Sequence, residues 1–308
     1  MKEKIKKACA IWNPIAGNVR RNEKNIDLAI DFFKQKGYEI VKKATVGPLT
    51  ATQIARDAAY NGAEYIIAIG GDGTINEVLN GMHDTNAILG IVPMGTANLL
   101  ARQINIPTNT VKALKSLDNV DIQEVSLGKA NDRYFILMTG IGFDGYIISK
   151  ITSNLKTKYG KLAFAYHATI ESFLYSYPVF SMKINGRELT SAFAIVALSK
   201  EYGGLFSLTP KANLQSEQFQ VCIFHKRGPF TFWKYFISAL FRMHDKLPDV
   251  TLEYADTIEV YSEEKVWSQI DGELFTQLPV KISIVPKGLK LLVPRTAKHS
   301  FPTYKESR

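Results

Sequence analysis

Asp72 stands alone among glycines in GGDGT (70–74), directly after the apolar run YIIAI (65–69). A tight turn needs one glycine, two at most, so three around one carboxylate imply that something large and charged lies against this backbone. Two more loops share the composition: NPIAG (13–17) after ACAIWN, and PMGTAN (93–98) at the end of AILGIVP. Glycine lets phosphate oxygens reach backbone N–H groups, and a helix start just beyond each loop adds its positive dipole end. Any one of these loops also reads as an ordinary strand-to-helix turn, but three together suit a polyphosphate. Asp72 is a poor phosphate contact by itself and a sensible one if Mg²⁺ bridges the two. Far along the chain, DGE (271–273) places Asp271 and Glu273 around one glycine; on local sequence alone it is a hairpin turn.

Positioning three loops together requires a frame. The first 120 or so residues alternate short strands with helices: strands at 8–13, 38–45, 65–69 and 87–93, helices at 22–37, 50–62, 74–82, 96–104 and 109–117. Strands separated by helices pair in parallel and make a doubly wound α/β layer, whose ligands sit beyond the carboxyl ends of the strands, where all three loops fall. Near residue 120 the pattern changes to short strands joined by turns, such as DRYFILMTG, SAFAIVALS, FQVCIFHK and KVWSQIDGE. The expected organisation is a nucleotide-binding α/β domain over 1–122, rejoined by 290–308, and a β-rich, sandwich-like domain over 123–289. Helical inserts are expected across 145–177 and 230–243.

Composition sets outer limits. Hydrophobic residues are 46% and charged residues 22% of 308, as in soluble globular proteins with full cores. Cys9 and Cys222 form no metal or disulfide spacing, which suits a reducing cytosol, and the five histidines are scattered. No apolar run reaches the roughly 18 to 20 residues of a membrane helix, and Met1 is followed by charges rather than a signal peptide. The net charge of +9 favours anionic partners, namely lipid, nucleotide or nucleic acid, and does not choose among them.

Two nucleotide signatures are absent. There is no G-x-x-x-x-G-K-[ST] loop. GIGFDG (140–145) matches G-x-G-x-x-G, but no acid follows between 146 and 170, so a dinucleotide site is rejected.

GGDGTINEVLNG, preceded by NPIAG and followed by PMGTANLLAR, GIGFDG and QIDGE in that order, resembles the diacylglycerol kinase catalytic-domain family, which includes bacterial lipid kinases and sphingosine kinases. GGDGT alone is shared with NAD kinases; the ordered set of five is far more specific and spans nearly the whole chain. The resemblance implies an ATP-binding α/β domain, a β-rich lipid-binding domain and an active site in the cleft between them. Carried over by position, Asn13, Pro14 and Gly17 line the nucleotide, Thr45 lies near it, Gly70, Gly71, Gly73 and Thr74 wrap the triphosphate, and Thr96 contacts it. Asp72 is implied to hold Mg²⁺. Asp271 and Glu273 fall where the family places its catalytic carboxylates, with Glu273 as the base that accepts the hydroxyl proton and Asp271 as second choice. Asp144 reads either as a contact to a polar lipid headgroup or as a plain turn or helix cap.

The chain departs from the family in three places, the least of them Ala16 in NPIAG, where a serine is frequent. Many members carry an aspartate in the Mg²⁺–water network where this chain has Leu99. Bacterial relatives usually place two or three aspartates in the stretch corresponding to 210–224 for a structural magnesium, and here only Glu217 could ligate as a carboxylate. Two basic stretches are candidate membrane contacts. The first, 150–167, holds Lys150, Lys156, Lys158, Lys161 and His167 with no acid. The second, 226–246, mixes aromatics with basic residues and reads foremost as a helix covering the second domain's sheet. The combined expectation is a cytoplasmic, peripherally membrane-associated enzyme that uses ATP and Mg²⁺ to phosphorylate a lipid hydroxyl, foremost that of diacylglycerol, at an anionic membrane surface. The alternatives are an NAD kinase, a sphingosine-type kinase, or a regulator that has lost catalysis. Nucleic-acid binding has no motif behind it, and a homodimer is left open.

Overall fold

The computed structural model describes residues 6–14, 23–150, 168–202 and 206–300. It divides into two compact units: Met1–Leu127 with Pro286–Arg308, and Gly128–Val285.

In the first unit, strands β1 (Lys6–Trp12), β2 (Tyr38–Ala44), β3 (Tyr65–Gly70) and β4 (Ile88–Pro93) run parallel in the order 2-1-3-4. The later part of a long strand, β18 (Val280–Pro294), adds parallel to β4 through Lys290↔Ile88 and Leu291↔Leu89. Ile66–Ile69 and Leu89–Val92 are buried without interruption, as interior parallel strands require. Helix α1 (Glu23–Gln35) buries Ile26, Ala29, Ile30 and Phe33, an i, i+3, i+4, i+7 stripe in which each large side chain contributes about 1.5–3 kcal/mol. Helices α2 (Thr50–Tyr60) and α3 (Asp72–Met82) approach closely because Gly81 has no side chain: a Cβ there would lie 2.2 Å from the Thr52 carbonyl oxygen. The short helices α4 (Leu99–Gln103) and α5 (Thr110–Ser116) follow β4. The chain moves from β1 outward to β2 and then to β3 on the other side, so the switch of direction lies between β1 and β3. A crevice for ligand opens at the carboxyl ends of such a strand pair.

In the second unit, β7 (Met138–Gly142), β10 (Phe193–Ala197), β13 (Phe219–Phe224), β14 (Val250–Ala255), β16 (Trp267–Ile270) and β17 (Glu273–Gln277) make an antiparallel sheet in the order 14-13-10-7-16-17. A second antiparallel set joins β9 (Arg187–Ser191), β8 (Phe180–Ile184), β15 (Thr257–Tyr261) and the start of β18. The rings of Phe135, in β6 (Arg133–Phe135), and Phe219 stack 5.8 Å apart. Gly128 leaves room for Phe135, since a Cβ on it would stand 2.1 Å from that ring.

Among the described residues three α-helices decorate this unit: α6 (Phe143–Lys150), α7 over 168–174 and α8 (Pro229–Leu240). The expected insert across 145–177 is therefore helical at both ends, and 151–167 lies outside the described residues. No helix among the described residues is long and apolar enough to cross a membrane. The expected boundaries at 122/123 and 289/290 fall inside single strands, β5 (Val120–Ala130) and β18, so no turn marks either division.

One expected strand is broken. DRYFILMTG reads as a continuous apolar run, yet it splits into β6 and β7 around Ile136 and Leu137. The cause lies at the candidate site.

Candidate active site

In the first unit the GGDGT and PMGTAN segments press together. The Met94 N–H donates to the Gly70 carbonyl (2.8 Å). Gly71 and Gly95 meet backbone to backbone, for a Cβ on Gly95 would stand 2.5 Å from the Gly71 Cα. A Cβ on Gly70 would lie 2.8 Å from the Thr74 side chain. Sequence reasoning assigned these glycines to clearing space for a triphosphate. The structure shows that Gly70 and Gly71 first clear space for the chain itself. Moreover, Asp72, Gly73 and Thr74 are not loop residues; they form the first turn of α3, with Gly71 extended at its N-cap.

Asp72 accepts a hydrogen bond from the Leu99 N–H through Oδ1 (2.7 Å), so its carboxylate caps α4 from another element. Burial raises the Asp72 carboxyl above its ordinary pKa, opposed by the N–H groups of Leu99, Leu100, Asn98 and Asp72 itself. Leu99, where the resemblance led us to expect a carboxylate, contributes its backbone N–H instead. Asn98, buried and left-handed (φ 49°), closes the loop on Gly95: its Oδ1 accepts from the Gly95 N–H and its Nδ2 donates to the Gly95 carbonyl, both at 2.8 Å.

The other expected nucleotide residues are placed as follows. Thr45 is buried beside the end of β1, its N–H donating to the Trp12 carbonyl (2.8 Å). Thr74 is buried over Gly70, Thr96 is exposed, and Asn13 and Pro14 are half-buried at the end of β1. Gly17 lies outside the described residues. The Trp12 indole N–H is buried there without a hydrogen-bond partner. A helix N-terminus and an unpaired buried donor at the carboxyl ends of the strands fit a phosphorylated ligand. Among the described residues no group of three or more His, Cys, Asp or Glu gathers to hold a metal.

In the second unit Asp271 explains the broken strand. Its carboxylate accepts from three successive backbone N–H groups: Ile136 (3.0 Å), Leu137 (2.9 Å) and Met138 (3.0 Å). Donors that converge on one anion cannot alternate into a ladder, so the strand stops there. Asp271 returns its own N–H to the Met138 carbonyl (2.9 Å). It sits at φ 48°, followed by Gly272 at φ 84°. This carboxylate holds the turn, a structural task beside the second-choice base role read from the sequence.

Glu273 opens β17 as a half-exposed carboxylate, and its Oε2 pairs with Arg133 Nη2 at 2.5 Å. Behind the turn, Gln269 is buried and bridges two partners. Its Oε1 accepts from the Gly272 N–H and its Nε2 donates to Asp144 Oδ2, each at 2.7 Å. The Tyr202 hydroxyl donates to the other Asp144 oxygen. Burial raises the Asp144 carboxyl above its usual range, opposed by the bonds from Tyr202 and Gln269. Asp144 is thus buried with both oxygens engaged by protein donors.

Glu217 is exposed. The loop around it closes on neutral groups: Asn213 Oδ1 accepts from the Gln215 N–H (2.9 Å) and Gln220 Oε1 from the Lys211 N–H (2.8 Å). The metal role expected for Glu217 finds no companion ligands among the described residues.

Residues 7–130 match the diacylglycerol kinase catalytic domain, and residues 138–293 match the YegS C-terminal NAD kinase beta sandwich-like domain. A diacylglycerol kinase of Bacillus subtilis (strain 168) is 30% identical over 297 residues, covering 94% of this chain and 97% of its own. A diacylglycerol kinase of Staphylococcus carnosus (strain TM300) is 28% identical over 96% and 97%. A crystal structure of a diacylglycerol kinase from Bacillus anthracis str. Sterne superposes with a TM-score of 0.75 at 23% identity, covering 96% of this chain and 99% of that one. The fold and loops define a two-domain kinase with a catalytic α/β domain and a β-sandwich-like partner. More particularly, the chain belongs to the diacylglycerol kinase family, a lipid kinase and a phosphotransferase with an alcohol group as acceptor.

Sequence reasoning missed Arg133, Tyr202 and Asn98 as site residues and gave Gln269 no role. Asn98 and Gln269 lie inside the quoted PMGTAN and QIDGE motifs, so the signal was present and unread. Arg133 reaches Glu273 across 140 positions, and no local pattern announces it.

Proposed function

We propose that this enzyme transfers the γ-phosphate of ATP, carried as its Mg²⁺ complex, to the free hydroxyl of diacylglycerol at an anionic, cytoplasm-facing membrane surface, giving phosphatidic acid. The observation that carries the nucleotide half is the backbone-to-backbone pairing of Gly71 with Gly95 beside Asp72 and the start of α3. Lipid acceptor and ATP are supported by family membership and by the names of the relatives. When bound, Mg²⁺ would supply charge neutralisation at the phosphates, and Asp72 would help to hold it. The chain's own residues do the rest. Backbone N–H groups at the two glycine segments hold phosphate oxygens, and Asn13, Thr45 and Thr96 lie at the same carboxyl ends of the sheet. Glu273 takes the proton of the acceptor hydroxyl as the new P–O bond forms and the bond to the departing diphosphate oxygen breaks. Arg133 orients that carboxylate, while Asp271 and Gln269 hold the turn that presents it.

The test is transfer of labelled γ-phosphate to diacylglycerol, monoacylglycerol, sphingosine, ceramide and undecaprenol in mixed micelles, with soluble NAD alongside. Label in phosphatidic acid is expected. Label in a different lipid would retain the mechanism and replace the acceptor, and label in NADP would overturn the lipid reading.

A further inference from the structure

Helix α8 was expected to cover the second unit's sheet, and one face does: Tyr235 and Ala239 pack with Phe193, Ile195, Cys222 and Phe224. The opposite face carries exposed apolar side chains around Lys234. Phe230 is 83% exposed and Phe241 is 69%, with Ile237 and Leu240 also exposed. Positions 230, 237 and 241 follow helical spacing, so they form one stripe. Helix α7 extends it with exposed Ile170, Phe173 and Leu174. The two helices are fastened together, the Trp233 indole donating to Ser172 Oγ (3.0 Å) and the Phe173 and Phe230 rings meeting edge to face at 6.3 Å. Contiguous apolar surface of this kind marks a docking site.

We infer that the shared outer face of α7 and α8 is the surface by which this enzyme docks on an anionic lipid bilayer. Charge decides the occupant. Lys226, Arg227, Arg242 and Lys246 are exposed around the stripe, and Asp245 is the single acid in 226–246. Lys234 is already neutralised by Asp249 (3.0 Å). A second copy of the chain would bring the same cations against themselves, since a two-fold interface pairs identical patches. A bilayer instead offers hydrocarbon to the aromatic stripe and phosphates to the rim. Sequence reasoning favoured 150–167 as the membrane contact; apart from Lys150, that stretch lies outside the described residues.

The inference deepens the lipid-kinase reading by assigning the face presented to the substrate's membrane, and its test reads binding without catalysis. The full chain is sedimented with vesicles of phosphatidylcholine and phosphatidylglycerol, with no nucleotide or diacylglycerol present. The variant Phe230→Gln/Leu240→Gln is expected to bind about tenfold or more weakly, given the transfer energy of each large apolar side chain. Arg227→Gln/Arg242→Gln should weaken binding and flatten its salt dependence. Thermal midpoints matching the parent would separate docking from misfolding. Parent-like vesicle binding by both variants would overturn the inference. So would a parent dimer in solution that either variant dissolves, because that result seats a second copy on this face. Vesicle binding that follows the expected pattern, in a protein that phosphorylates no lipid, would sink the kinase reading and leave the docking face standing.

Discussion

Three carboxylates in the second unit have different chemical positions, and single substitutions separate them. Asp271 collects three backbone N–H groups, and bonds to a charged acceptor contribute about 1.5–3 kcal/mol. Asp271→Asn turns an amide donor toward those donors and is expected to lower unfolding free energy by about that amount or more, read by urea titration. Glu273 has a half-exposed surface ion pair, so Glu273→Gln should change stability by less than about 1 kcal/mol while kcat falls by about 10²–10⁴. Near-normal turnover in that variant would remove Glu273 from the base role. Asp144 is predicted to act through pH. Its carboxyl is raised by burial, so the stability associated with its proton is complete below the ordinary carboxylate range and is lost as pH rises through the folded-state value. Asp144→Asn mimics the protonated acid. Its thermal midpoint should match the parent in acid and gain on it as pH rises toward neutrality; a constant difference between the two would contradict this.

At the scale of elements, the glycine segments behave as a pair. Gly95→Ala pushes a methyl to within 2.5 Å of the Gly71 Cα, which no side-chain rotation relieves. Overpacking of this kind costs about 1–3 kcal/mol, and here it also separates the two segments proposed to hold phosphate. The expected result is a raised KM for ATP exceeding any effect on the lipid acceptor, measured by varying each substrate in turn. Most elements were legible in the sequence, because the 3.6-residue stripe of α1 and the unbroken apolar runs of β3 and β4 are direct consequences of burial. The break between β6 and β7 was not legible, since Ile136 and Leu137 are as apolar as their neighbours and the interruption comes from Asp271, 134 and 135 positions away. The start of α3 at Asp72 was hidden by glycines that read as loop. For α8 the aromatic content was visible from the outset. Which aromatics face the sheet and which face outward depends on helical phase, and only the structure fixes it.

At the scale of the molecule, the first unit is discontinuous in sequence and the second is not. The β4 edge is completed by Lys290 and Leu291 of β18, so a fragment ending at Leu127 leaves an interior hydrophobic strand unpaired. Such a fragment is expected to aggregate, and appending residues 286–308 through a flexible linker should restore a soluble fold with α/β circular dichroism. Solubility of the short fragment by itself would show that β18 is dispensable to this sheet. The same threading sets an order of events during synthesis. The second unit leaves the ribosome whole, whereas the parallel sheet of the first unit waits, open along one side, for a strand translated after it. At about 5–20 residues per second that wait is on the order of 10–30 s. A chain stalled before Pro286 therefore yields no half-active kinase, and the cell's quality-control machinery meets an exposed β4 edge that marks the product as unfinished.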